Sequence, residues 1–210
     1  MTNILIGLEY IGIMKPALMC LLLIPFPLMM IIVLCTNNKT ELIRKAIHVI
    51  SGVIIVCALI LLNNIEVICF LLLLTVAALL NALIYSYQET QFYRGSIGLV
   101  TFPIGILITY VLFSNISLKA VLCGVLVLAF ADAAAAIIGS KWGKPWFNKK
   151  SLLGSLTFFI VTLVIISLYT NDHIILIQIA SIVTVMELIS KKGADNILIP
   201  LSVTALLITL

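Results

Sequence analysis

The sequence predicts an all-α fold, a bundle of about eight membrane-spanning helices, and three observations predict it. Of 210 residues, 63% are hydrophobic and only 10% are charged, where a soluble domain carries about a quarter. Mean hydropathy is +1.32, too apolar for the surface of a globule in water. The apolar residues fall in runs near the ~20 residues that cross a bilayer as a helix. They also lack the alternation of a barrel strand. Lipid leaves backbone groups unsatisfied in anything but helices and closed barrels, so the runs are read as helices.

The runs cover 17–35, 46–62, 66–85, 98–113, 118–139, 152–170, 174–189 and 196–210. The first follows Lys15, is long for the apolar part of a signal peptide and precedes no small-x-small cleavage site, so it reads as a span. Turn and charge signals separate the rest: Asn63-Asn64, Gln88 to Gly95, Ser140 to Lys150, Thr170-Asn171-Asp172 and Lys191 to Asp195. Pro103 lies in the shortest run, which could cross or re-enter. Little is left for loops, so residues 1–210 form a single integral membrane domain. Cys20, Cys35, Cys57, Cys69 and Cys123 all fall inside apolar runs with no CxxC pair, and read as small buried hydrophobes.

Eight spans put alternate connections on one side. The connections after spans one, three, five and seven hold Lys39, Arg44, Lys45, Arg94, Lys141, Lys144, Lys149, Lys150, Lys191 and Lys192, ten of the twelve basic residues. Lys15 and Lys119 are left for the other side. The positive-inside rule makes the first side cytoplasmic and leaves both termini outside.

Asp132 is the most informative residue, about two turns inside the cytoplasmic end of its span among Ala129, Ala131, Ala133 and Ala134. An ionisable group at that depth is costly and marks a functional site by default; the alternative is a carboxylate paired for packing alone. The connection Gly139 to Ser155 follows, with four lysines, two tryptophans and a Lys150-Ser151-x-x-Gly154-Ser155 helix start. Amides at a helix start beside lysines suit phosphates, although interfacial tryptophans and lysines are also an ordinary belt. Arg44, His48 and Gly52 are four apart and share a helix face. Arg94-Gly95-Ser96 opens another span. Glu187, Lys191, Lys192, Asp195 and Asn196 close the last connection; Asp195 alone could be a helix cap. Three carboxylates (Asp132, Glu187, Asp195) with several cations on one side make the combination that a Mg²⁺–nucleotide site requires.

These motifs in order resemble the CTP-dependent lipid kinases, the family of dolichol kinase, phytol kinase and fungal-type diacylglycerol kinase. The resemblance rests on Arg44-Lys45-x-x-His48-x-x-x-Gly52, the Arg94 to Gly105 pattern, Asp132-x-x-Ala135-x-x-x-Gly139-x-x-Trp142-Gly143-Lys144, Lys150-Ser151-x-x-Gly154-Ser155, and Glu187 through Asp195-Asn196 to Pro200. It implies transfer of the CTP γ-phosphate to a hydroxyl of a membrane lipid alcohol (polyprenol, phytol-like or diacylglycerol), with Mg²⁺. It implies that Asp132 is the base or a metal ligand, with Glu187 and Asp195 also on the metal. Arg44, His48 and Arg94 complete a charge clamp. Lys144, Lys150, Ser151, Gly154, Ser155 and Asn196 contact the nucleotide. The Asp132 to Ser155 stretch is also similar to phosphatidate cytidylyltransferase. That enzyme, like some of the kinases, has Glu where this chain has Leu153; it also has a Gly-His-Gly-Gly segment with an Asp-rich tail, where no charged residue follows Pro200 here, and this second difference favours the kinase branch. A homodimer is left open and no nucleic-acid partner is expected. The remaining class, a small transporter, would place its polar groups near the midplane of repeated halves; no repeat is present.

Overall fold

The computed structural model describes residues 41–87, 93–147, 150–191 and 193–210. The expected span at 17–35 lies outside them. Helix α1 runs Glu41–Leu61. It stops before Asn63, whose side chain accepts from the Glu66 amide (3.0 Å) while the Asn63 amide donates to the Glu66 carboxylate (2.8 Å). That reciprocal pair satisfies the free amides at the start of α2, Asn64–Tyr87.

Helix α3, Tyr93–Leu126, continues through one π-helical turn, Val127–Ala131, into α4, Asp132–Trp142. Pro103 lies inside α3 and does not end it. The break comes at Ser117 (φ −154°, ψ 96°), whose hydroxyl accepts from the Ala120 amide as a cap (3.2 Å). There the chain doubles back. Ahead of the break, Gly98 meets Asn196 (2.8 Å) at one end and Tyr110 meets Asn64 (2.8 Å) toward the other. After it, Ala120 lies beside Thr204 and Gly124 beside Pro200. The apolar runs 98–113 and 118–139 are thus two helical arms joined at the Ser117 break.

Gly143 leaves the helix in an extended conformation. Pro145, with no amide proton to donate, cannot resume it. A two-stranded antiparallel hairpin follows, β1 Pro145–Phe147 paired with β2 Lys150–Ser151. It is a short interruption in an otherwise all-α chain. Ser151 then caps α5, Leu152–Ile166, by accepting from the Gly154 amide (3.0 Å). Asp172 caps α6, His173–Ile189, through two amides. Gly193, at φ +80° and packed on Gly98, turns the chain into α7, Asp195–Thr209; only glycine takes that conformation without strain.

Backbone-close packing holds the bundle together. A Cβ on Gly105 would lie 2.1 Å from the Asn196 carbonyl, and one on Gly124 2.7 Å from the Pro200 carbonyl, so α3 and α7 meet across small residues. Ile55, Phe70, Ile106, Leu128, Phe158, Ile179 and Ile199 form a fully buried core. The outward faces are apolar too. On α2, Val67, Phe70, Leu71 and Leu74 point inward while Leu72, Leu73, Val76, Leu79, Leu80 and Leu83 are exposed. A helix against water would carry polar residues there; one against hydrocarbon would not. Among the described residues, Arg44–Leu61 and Ile97–Trp142 are the two stretches long and apolar enough to cross a membrane, and α5, α6, α7 and Asn64–Leu80 are shorter apolar helices. Eight crossings remain a reading of the sequence.

Candidate active site

The site begins with how closely α1 approaches the π-helical turn. A Cβ on Gly52 would stand 2.4 Å from that of Ala129, so only glycine lets the two backbones meet. One and two turns earlier on that face come His48 and Lys45. His48 Nε2 lies 3.1 Å from the Leu128 carbonyl and 3.5 Å from Asp132 Oδ2. Lys45 Nζ donates to the same Asp132 oxygen at 2.5 Å. The Phe102 ring covers His48, centroids 4.3 Å apart. Asp132 and Lys45 are both more than nine-tenths buried. A buried charge pair repays its desolvation only when geometry and hydrogen bonds are good, and this one has a third partner in reach.

A second pair lies at the same end of the bundle. Lys150 Nζ donates to Glu187 Oε1 (2.5 Å), to the Glu187 carbonyl and to Ser190 Oγ (3.2 Å), and lies 4.0 Å from Asp195 Oδ2. Asn196, next to Asp195, bonds Gly98 and Thr101, and Thr101 precedes Phe102, whose ring covers His48; the chain thus ties the two pairs to one region. Glu187 Oε2 is buried with no hydrogen-bond partner, which leaves a carboxylate oxygen ready for a cation or a donor.

The sequence candidates thus divide. Asp132, His48, Lys150, Glu187 and Asp195 are brought to one end. Asn196 is committed to the fold, donating to the Gly98 carbonyl and to Thr101 Oγ1 (3.2 Å). Ser151 and Gly154 form the α5 start and its close crossing with α4, where a Cβ on Gly154 would meet the Ala135 carbonyl at 2.9 Å. Ser155 is buried, its hydroxyl without a partner. Lys144 is exposed on the rim of a cleft beside Trp142 and Trp146, apart from the two pairs. The Arg94 side chain lies outside the described residues. Arg44 is exposed, and it is its neighbour Lys45 that meets Asp132. Lys45 is the residue that the Arg44-His48-Gly52 spacing missed; the face i, i+3, i+7 (45, 48, 52) would have found it.

No group of three His, Cys, Asp or Glu side chains is gathered as a metal cage among the described residues. Asp132, Glu187 and Asp195 do not form one because lysines hold the first two. Mg²⁺ asks for less, usually one or two carboxylates plus substrate phosphates and water. Glu187, through its open oxygen, and Asp195 fit that demand.

Comparison with known proteins gives distant relatives of this chain. The chain is 33% identical over 127 residues to a phytol kinase of Synechocystis, covering 53% of this chain and 50% of the kinase. It is similar to a phytol kinase over half its length. An uncharacterized protein of Rickettsia prowazekii, RP860, is 34% identical over 113 residues, 50% of this chain and 54% of the relative. Another from Methanocaldococcus jannaschii, MJ1137, is 28% identical over 176 residues, 76% of this chain and 88% of the relative. The chain spans about half the length of the first two. No family model and no solved structure matches.

Proposed function

We propose that the protein is a membrane lipid-alcohol kinase that transfers the γ-phosphate of CTP to a polyprenol, a phytol-like isoprenoid alcohol or diacylglycerol. The observation that carries the reading is the buried Asp132, ion-paired to Lys45 and reached by His48, beside a second lysine–carboxylate pair at the same end. The similarity to a phytol kinase supports the class of reaction and acceptor.

Phosphoryl transfer asks chiefly for positioning and for charge neutralisation. Lys45 and His48 both address Asp132 Oδ2, so the acceptor hydroxyl approaches Oδ1 and gives up its proton there. Its oxygen bonds to the γ-phosphorus, and the bond to the β–γ bridging oxygen breaks to leave CDP. Lys150, less buried than Lys45, faces the incoming phosphates. Glu187 and Asp195 would hold Mg²⁺, which neutralises phosphate charge when bound with the nucleotide. The positive-inside rule, with ten of the twelve basic residues on one set of connections in the sequence, supports a multi-pass bundle whose charged side faces the cytoplasm, where CTP is met, and whose acceptor arrives from the bilayer.

The reading is tested by comparing wild type with Asp132→Asn, purified with Mg²⁺ and γ-labelled CTP, over a panel of phytol, farnesol, polyprenols and diacylglycerol. Wild type is expected to label one alcohol class and Asp132→Asn to lose at least about a hundredfold in rate, the scale of a lost general base. Wild type labelling none of them refutes the function; full activity in Asp132→Asn refutes the base.

A further inference from the structure

Outside the ion pairs, the described residues at the charged end of the bundle form an open surface cleft. It has a volume of about 450 Å³, lies between the hairpin and the first turns of α5 and is lined by Trp142, Lys144, Trp146, Leu152, Leu153 and Leu156 with the intervening backbone. Trp142 is 62% and Trp146 68% exposed, so neither ring is spent on the core. The chain has two tryptophans, and both are here. Lys144 is the charged side chain in the wall among the described residues. From the cleft, Leu152, Leu156, Ile160 and Val164 continue at four-residue spacing along α5, all exposed, as one apolar track.

We infer that this cleft seats a single-chain lipid phosphate, with its phosphate monoester on Lys144, its first carbons between the tryptophans and its tail along the α5 track. The reasoning rests on charge and shape, and on the kinase reading for why such a lipid is present: it is the product class of that reaction when the acceptor is an isoprenoid alcohol. An apolar wall with one cation at its rim complements an anionic amphiphile, and it gives an uncharged alcohol nothing for the lysine to do. Tryptophans place the rim at headgroup depth, and a lysine ammonium serves a phosphate as a point charge. The hairpin separates this face from the carboxylates. Lys150, on β2, turns to Glu187 and Asp195, while Lys144, just before β1, borders the cleft. Both stand next to the α4–α5 crossing at Gly139 and Gly154, and Gly154 packs on Ala135, one turn from Asp132. A phosphorylated lipid leaving Asp132 thus has an anion-binding, chain-accepting exit at the interface.

The two tryptophans make the test direct. The full chain in phosphatidylcholine nanodiscs, without nucleotide, is titrated with a chain-brominated hexadecyl phosphate and with the matching brominated alcohol, and tryptophan quenching is read. Quenching is expected to saturate, with the phosphate preferred over the alcohol by about tenfold, the order of one charge-assisted contact. Lys144→Gln should reduce the phosphate to the affinity of the alcohol, and Lys144→Arg should keep the preference. Equal quenching by phosphate and alcohol, or quenching that rises with bulk mole fraction and never saturates, overturns the inference. Equal displacement by two-chain phosphatidic acid also overturns it, in favour of a resident phospholipid. Binding needs no turnover. Saturable, Lys144-dependent quenching in a protein that transfers no phosphate keeps the cleft and loses the kinase; an active kinase without it does the reverse.

Discussion

Replacing Lys45 by Met separates a buried charge pair from an interfacial anchor. If Lys45 were a snorkelling surface lysine, losing it would cost about 0–1 kcal/mol. The structure places it under a tenth exposed, 2.5 Å from a carboxylate that is equally buried. Removing one partner of such a pair strands the other charge and costs about 3–5 kcal/mol. A chain of this size shifts its melting temperature by roughly 2–4 °C per kcal/mol, so Lys45→Met should melt about 6–20 °C below wild type. His48, 3.5 Å away, offers at most partial relief, because its ring is also tied to the Leu128 carbonyl. The double variant Lys45→Met/Asp132→Asn leaves no stranded charge and should recover most of the loss, while transferring no phosphate. The assay is thermal unfolding in detergent, followed by size-exclusion fluorescence. A Lys45→Met protein melting within about 4 °C of wild type, the largest shift of a surface pair, would refute the burial argument. So would a double variant no more stable than the single.

Two further substitutions test how the site is assembled. Gly52→Ala puts a methyl 2.4 Å from Ala129 Cβ, and overpacking of that kind costs about 1–3 kcal/mol; Ala129→Gly in the same chain should restore the melting temperature, and failure to do so would mean that α1 does not pack there. Gly105→Ala would set a carbon 2.1 Å from the Asn196 carbonyl, whereas Gly98→Ala meets the Asn196 side-chain amide at an ordinary 3.6 Å. The first should abolish a monodisperse folded peak on size exclusion and the second should retain it.

Much of the fold is legible along the chain because apolar runs bounded by turn and charge signals become single helices among the described residues. The boundary between 98–113 and 118–139 falls at the Ser117 break, and the helix starts at Asn64 and His173 follow side chains that cap them, Asn63 and Asp172. Asp132 stands out because a carboxylate among alanines has no local reason to be there. Its partner does not stand out. Arg44 and Lys45 are adjacent cations at a helix start, and which one faces inward depends on a contact 87 residues away and on the close approach of Gly52 to Ala129. The π-helical turn ahead of Asp132 has no composition signature among Val127–Ala131, and the hairpin at Pro145–Ser151 is too short for period-2 alternation to register. Hydroxyls and amides mislead for a related reason. Ser151 and Asn196 suit a phosphate as well as they suit a helix cap or a tie between helices, and only their neighbours decide between the two.

The central claim, that this membrane bundle phosphorylates a lipid alcohol, is tested most directly by CTP labelled at either the γ- or the α-phosphate, offered with Mg²⁺, phytol and phosphatidate to the purified protein. Label reaching phytol or another alcohol from the γ position, and none from the α position, is the predicted result. Label reaching phosphatidate from the α position alone would make the protein a cytidylyltransferase and contradict it.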